Sequence, residues 1–159
     1  MNIWVYVQES KGAPTTASLE LLTKARSLGG TVSAFVAGDG ATIAAAVGEY
    51  GATKLYATGP LGGKLPGAAV ASAIKAVIDG GDSPDLIMLP QSYEARDVVS
   101  RLSVKLDRTV LTGAEAAGKH LFVGFEHDRV VWIHLGLIGK LQFGPDEPPV
   151  SPATLRLRI

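Results

Sequence analysis

The chain has no cysteine, which excludes disulfides, thiolate metal sites and cysteine nucleophiles. The same absence removes any disulfide argument for secretion and is otherwise neutral on compartment. It has no charge excess: 15 Lys plus Arg balance 15 Asp plus Glu. Electrostatics therefore give no case for nucleic acid or an anionic membrane. No uninterrupted apolar run approaches the roughly 18 residues of a spanning helix. The start, MNIWVYVQESK, lacks a basic stretch before its apolar part and reads as a strand, not a signal peptide. A cytoplasmic protein without membrane insertion is the expectation. What is present is ample core material: 47% of the 159 residues are hydrophobic and 19% charged, the balance of an ordered domain.

Apolar runs and helical periodicities alternate along the chain. Asn2 to Val7 is a β-branched and aromatic run, a strand candidate. Thr15 or Thr16 can cap a helix carrying Leu21, Leu22, Ala25 and Leu28, which Gly29-Gly30 stops. Thr31 to Ala37 is a second strand, followed after Gly38-Asp39-Gly40 by a second helix. Lys54 to Ala57 is a short third strand, and Ala68 to Ile78 a third helix. Asp85 to Leu89 is a fourth strand, ended by Pro90; Ser92 can cap a fourth helix with Ala95, Val98, Val99, Leu102 and Leu106 on one face. A fifth strand starts at Thr109.

This rhythm predicts an α/β fold, a doubly wound and mostly parallel five-stranded sheet of order 3-2-1-4-5. Ligands of such folds sit at the carboxyl ends of the strands, where the winding reverses. Here that mouth is formed by Val7, Gln8, Gly38, Gln91 and Ser92. No boundary interrupts the chain, so 1–159 reads as a single domain, with a β-α core over 1–114 and an extension over 115–159.

The extension breaks the alternation. Residues 120–136, HLFVGFEHDRVVWIHLG, read as a β-hairpin turning at His127-Asp128. That register sets Leu121 opposite His134, Val123 opposite Trp132 and Phe125 opposite Val130. Phe122 then faces Ile133, and both faces are apolar. A rim hairpin normally wets one face, so this one is expected to bind a partner through Phe122, Phe125 and Trp132. Ala153 to Ile159 reads as a last strand after a stiff loop over 144–152.

The glycine-rich stretch TGPLGGKLPG, residues 58–67, invites comparison with a phosphate loop and fails it. The pattern G-x-x-x-x-G-K-[ST] finds Thr58 in place of its first glycine and Leu65 in place of its hydroxyl. Pro60 and Pro66 each remove an N–H of the kind such a loop supplies. The turn after the first strand, QESKGAPTT, lacks the three glycines of a dinucleotide fingerprint. His120, His127 and His134 recur every seven residues, but the hairpin register puts His120 and His134 on opposite faces, so no metal site is expected. No G-x-S-x-G is present. Asp97 and Arg101 read as an i,i+4 surface pair. Glu94 and Asp97 place negative charge in the first turn of the fourth helix, which complements the helix dipole and opposes an incoming phosphate. Nothing assembles an acid, a base and a nucleophile, so the chain is expected not to be an enzyme.

Three stretches in order resemble the electron transfer flavoprotein alpha subunit. In the first, Leu21, Leu22, Thr23, Ala25, Arg26, Leu28 and Gly29 match the family's first helix. In the second, Tyr50, Gly51, Ala52 and Lys54 match a Tyr-Gly-Ala-x-Lys junction. In the third, Arg96, Asp97, Arg101, Leu102, Leu106, Leu111 and Thr112 match a Gly-Arg-Asp helix and the strand after it, with Ala95 for the usual glycine. The resemblance spans residues 1 to about 114 well and the tail loosely. It implies the amino-terminal domain, of adenine nucleotide alpha-hydrolase-like fold, of a heterodimeric electron carrier. Such a carrier takes electrons from flavin dehydrogenases and passes them to a quinone reductase. The resemblance places FAD mainly on a second alpha-subunit domain, absent from this chain, and makes the beta subunit the partner of the hairpin. No cofactor is expected on this chain alone. The related beta subunit binds AMP at the strand-end mouth through a longer Gly- and Gln-containing loop, which LPQSYEAR does not reproduce. The alternative is a freestanding adenine-nucleotide module similar to universal stress proteins, with nucleotide at Val7, Gln8, Gly38, Gln91 and Ser92.

Overall fold

The computed structural model describes residues 1–108, 110–117, 120–125 and 129–134. The chain divides into two compact units, Met1–Val110 and Leu111–Ile159.

The first unit alternates strand and helix. Strand β1 (Asn2–Val7) is followed by a small antiparallel ribbon, β2 (Glu9–Ser10) with β3 (Ala13–Pro14), and by helix α1 (Thr16–Ser27). Then come β4 (Thr31–Val36), α2 (Ala44–Glu49), β5 (Lys54–Ala57), α3 (Pro66–Asp79), β6 (Leu86–Met88) and α4 (Tyr93–Leu106). The strands pair in the order β5-β4-β1-β6, and every pair is parallel. The central strand of the expected order is thus in place, with the expected neighbours.

Alternation along the strands sends successive side chains to opposite faces of the sheet. Ile3, Val5 and Val7 of β1 join Val32, Ala34 and Val36 of β4 against Leu22 and Ala25 of α1 and Val47 of α2. Trp4, Tyr6 and Phe35 meet Val70, Ala71 and Ile74 of α3 and Ala95, Val98 and Leu102 of α4. Two cores, one per face, explain why β1 reads as an uninterrupted apolar run: a parallel strand is covered on both sides. Thr15 caps α1 by accepting from the Ser18 N–H, and Ser92 caps α4 by accepting from the Ala95 N–H, both as the sequence predicts. Gly30 is a position only glycine fits. Its φ is 107°, and a Cβ there would lie 2.0 Å from the Met1 carbonyl oxygen, which accepts from Thr31 N–H at 2.9 Å.

The stretch expected as a fifth parallel strand pairs differently. In the second unit β7 (Leu111–Ala117), β8 (His120–Phe125) and β9 (Arg129–His134) form an antiparallel sheet in that order. Among the described residues the parallel sheet therefore holds four strands. A connection as short as that from Ala117 to His120 permits only antiparallel pairing; a parallel return needs a long crossover.

The ladder of β8 and β9 is one residue out from the expected register. Leu121 pairs with Ile133, Phe122 with Trp132, Gly124 with Val130 and Phe125 with Arg129. Three residues, not two, join the strands, and a one-residue slip exchanges the faces. His120 and His134 are consequently direct cross-strand partners, not residues of opposite faces. The His127-Asp128 turn, the loop over 144–152 and the Ala153 to Ile159 strand lie outside the described residues. Among the described residues no helix is long and apolar enough to cross a membrane.

Candidate functional site

The strand-end mouth of the first unit is present, and the backbone N–H groups of Gln8, Gly38 and Ser92 are already engaged. At the end of β1, the Gln8 N–H donates to Ser18 Oγ at 2.9 Å, and the Gln8 carbonyl accepts from the Thr15 N–H at 2.9 Å. At the end of β4, the Gly38 N–H donates to Thr58 Oγ1 at 2.9 Å, while the Gly38 carbonyl accepts from the Gly59 N–H at 3.0 Å. Before α4, the Ser92 N–H donates to the Pro90 carbonyl at 3.0 Å. Ser92 Oγ is spent on the cap, and Gln91 is exposed. These are the groups a nucleotide phosphate would have to recruit.

A cavity of about 220 Å³ lies at this end, lined by Tyr6, Val7, Gln8, Glu9, Ala37, Leu61, Pro66 and Glu94. Of the five residues expected to form the mouth, Val7 and Gln8 line it; Gly38, Gln91 and Ser92 do not. Its polar centre is Glu94, from the first turn of α4. Glu94 Oε1 accepts from Tyr6 Oη at 2.6 Å and from Gln8 Nε2 at 2.9 Å. Tyr6 is buried, and its phenol pKa is pushed well above the ordinary 10.0, first by burial and then by the hydrogen bond and charge of Glu94. A carboxylate thus stands in the mouth, with Glu9 beside it. The arrangement favours hydrogen-bond donors and cations over phosphate.

The glycine-rich loop contributes an apolar wall, not N–H groups. Leu61 and Pro66 line the cavity; Pro66 occupies the first turn of α3, a position its fixed φ suits. Gly59, Gly62 and Gly63 all have positive φ with open space around them, so they serve the turn itself.

A second polar cluster gathers where β1 begins. The Tyr56 hydroxyl donates to Asp82. Lys54 Nζ lies 3.0 Å from both Tyr56 Oη and Asp82 Oδ2, and Asn2 Nδ2 donates to Asp82 Oδ1 at 3.2 Å. The Lys54 ammonium is held above its ordinary pKa, first by its hydrogen bond to Tyr56 and then by Asp82. Asp82 is held below its own, first by Tyr56 and then by Lys54. The Asp97–Arg101 pair is formed at 2.8 Å and exposed, as its spacing implies. Among the described residues no group of three His, Cys, Asp or Glu could hold a metal ion.

Sequence reasoning noticed Glu94 for its place beside the helix dipole but missed its partners. The available signal was Tyr6, a hydroxyl on a strand covered on both faces, which has to find an acceptor.

A family model for the electron transfer flavoprotein domain matches residues 3–118, the whole of the α/β unit apart from its first two residues. The chain belongs to the electron transfer flavoprotein domain family. The three sequence stretches that resemble this family all fall inside the match. A second model, for the formamidopyrimidine-DNA glycosylase N-terminal domain, matches residues 85–159 and overlaps the first over 85–118. Phe122, Phe125 and Trp132 lie beyond the electron transfer flavoprotein match and inside the second. No curated protein matches the chain. The likeness of the tail to a DNA glycosylase domain was missed by sequence reasoning. Its warning sign was the loss of β-α alternation after residue 112.

Proposed function

We propose that residues 1–110 are the non-catalytic amino-terminal domain of an electron transfer flavoprotein alpha subunit. In this reading the domain supports assembly with a beta subunit, and FAD, held on another domain, carries electrons from flavin dehydrogenases to a quinone reductase. The family match supports the electron-carrier role. The observation that carries its non-catalytic, non-nucleotide character is the Glu94 carboxylate seated between Tyr6 and Gln8 in the mouth. It also argues against the universal-stress-protein alternative, which needs phosphate donors at Val7, Gln8, Gly38, Gln91 and Ser92. The test is calorimetric titration of the purified chain with AMP and ATP, beside its absorption spectrum. Absence of heat and a colourless protein are expected; saturable nucleotide binding or co-purified flavin would overturn the reading.

For the tail there are two proposals, and one experiment separates them. In the first, Phe122, Phe125 and Trp132 anchor the beta subunit; truncating a central aromatic anchor of an interface commonly costs about 2 kcal/mol or more. In the second, favoured by the match over 85–159, the tail is a portion of a DNA-repair domain and contacts DNA. Single Phe122→Ala, Phe125→Ala and Trp132→Ala variants would be assayed for co-purification with a beta subunit and for duplex-DNA retention. Loss of the subunit alone supports the first; loss of DNA alone supports the second.

A further inference from the structure

The α3–α4 face of the parallel sheet carries a cluster of three aromatic rings that the proposed function does not use. Phe35 and Tyr56 stack with centroids 4.6 Å apart and planes at 19°. Trp4 lies 5.1 Å from Phe35 and 5.6 Å from Tyr56, centroid to centroid. The two oxidisable rings of this cluster have opposite surroundings. Trp4 is 1% exposed, and its indole N–H has no hydrogen-bond partner among the described residues. Tyr56 is partly exposed, and its hydroxyl donates to the Asp82 carboxylate, with the Lys54 ammonium alongside.

These surroundings dictate what happens to an oxidised ring. A tryptophan cation radical becomes a stable neutral radical only by losing its indole proton. Among the described residues Trp4 has no acceptor for that proton, so its cation stays a strong oxidant. A tyrosine is easily oxidised only when its phenol proton can leave together with the electron. Tyr56 has a carboxylate in hydrogen-bond contact to receive it. The gradient therefore points outward from the core to the Tyr56–Asp82 pair.

We propose that Trp4, Phe35 and Tyr56 form a relay that moves an electron hole out of the core and fixes it as a neutral radical on Tyr56, with Asp82 as the proton acceptor. In the first step Trp4 gives up one electron to a one-electron oxidant of the inorganic-complex class, such as a cobalt(III) ammine, which is reduced to cobalt(II); no bond in the protein breaks. In the second step Tyr56 returns one electron to Trp4, directly or by way of the stacked Phe35. The Tyr56 O–H bond breaks, and its proton forms the O–H bond of a protonated Asp82. Trp4 is restored, and the net change is one electron from Tyr56 to the oxidant and one proton from Tyr56 to Asp82. The relay spares the sheet core from covalent oxidation at Trp4.

The chain contains two tryptophans and four tyrosines, so the experiment uses the full-length Trp132→Phe chain and a pulse at the red edge of the indole absorption, where tyrosine does not absorb and photoionisation starts at Trp4. A cobalt(III) ammine in solution takes up the ejected electron. Transient absorption is expected to show the tryptophan radical decaying as a tyrosyl radical rises, with a solvent deuterium effect on the rise. Tyr56→Phe is expected to remove the rise and prolong the tryptophan radical, whereas Tyr6→Phe leaves both unchanged. Asp82→Asn, a surface substitution, is expected to slow the rise and decides the matter even if Tyr56→Phe does not fold. An unaltered rise in Asp82→Asn, a rise that survives Tyr56→Phe, or decay of the tryptophan radical with no tyrosyl product would each overturn the proposal.

Discussion

Tyr6 and Tyr56 both donate a phenol hydrogen to a carboxylate, Glu94 and Asp82 respectively. Both belong to the aromatic face of the same parallel sheet. Their surroundings make them different objects. Tyr6 is 1% exposed and shares its acceptor with Gln8. Tyr56 shares Asp82 with an exposed lysine, and water competes for every partner. In the buried pair the desolvation of the phenol dominates, and the partner decides whether a polar atom is stranded. In the half-buried pair solvent screens the charges, and the contact holds geometry more than stability. One chemical pair thus works as a plug at the carboxyl ends of the strands and as a proton outlet near the start of β1.

The largest effect is expected from Trp4→Ala, which removes the ring that Phe35 and Tyr56 pack against. Truncation of a buried aromatic residue costs about 3–5 kcal/mol, read as a fall in the urea midpoint. Next comes Glu94→Ala, which leaves the Tyr6 hydroxyl buried without an acceptor and costs about 1–3 kcal/mol. Glu94→Gln keeps an acceptor oxygen and should recover most of that loss; equal losses in the two variants would show that Tyr6 does not depend on the bond.

A pH titration sharpens the contrast. The folded protein holds the Tyr6 proton more tightly than the unfolded chain does. The stability this represents is intact below the ordinary value of 10.0 and is lost as pH rises above it. The urea midpoint should therefore fall in alkali, and less steeply in Tyr6→Phe. Asp82 has the opposite sign: its pKa is lowered, so its contribution is present above the ordinary aspartate range and lost as pH falls through it. Because that carboxylate is only half-buried and solvent screens it, the smallest effect of all is expected in Asp82→Asn, whose acid-side midpoint should be nearly superimposable on wild type.

The helices and parallel strands of residues 1–108 were legible because their signals are local. Thr15 and Ser92 stand at caps, Gly29-Gly30 closes α1, and the continuous apolar run of β1 announces a strand covered on both sides. Crossover handedness narrowed the choice to doubly wound sheets, and the observed order of the first four strands is the one expected among them. The fifth strand was not legible, because Leu111–Ala117 is equally compatible with a parallel seat and an antiparallel ladder; the short link to His120 decides. The β8–β9 register failed by one residue because it rested on a guessed turn length, and apolar residues on both faces offered no pattern to correct it. At the mouth, sequence located the level of the sheet at which Val7 and Gln8 sit. It did not show that Glu94 reaches across to Tyr6, an encounter of residues 88 positions apart with no local signature.

Helix α3 begins at a leucine in cap geometry. Leu65 has φ −64° and ψ 140°, its side chain makes no cap hydrogen bond, and it is 83% exposed. The backbone is already shaped for a serine or aspartate that nature has not placed there, so Leu65→Ser or Leu65→Asp should raise stability by about 0.5–2 kcal/mol. The same change removes a greasy side chain from the surface. This one position offers a simple engineering route to a sturdier, less adhesive scaffold.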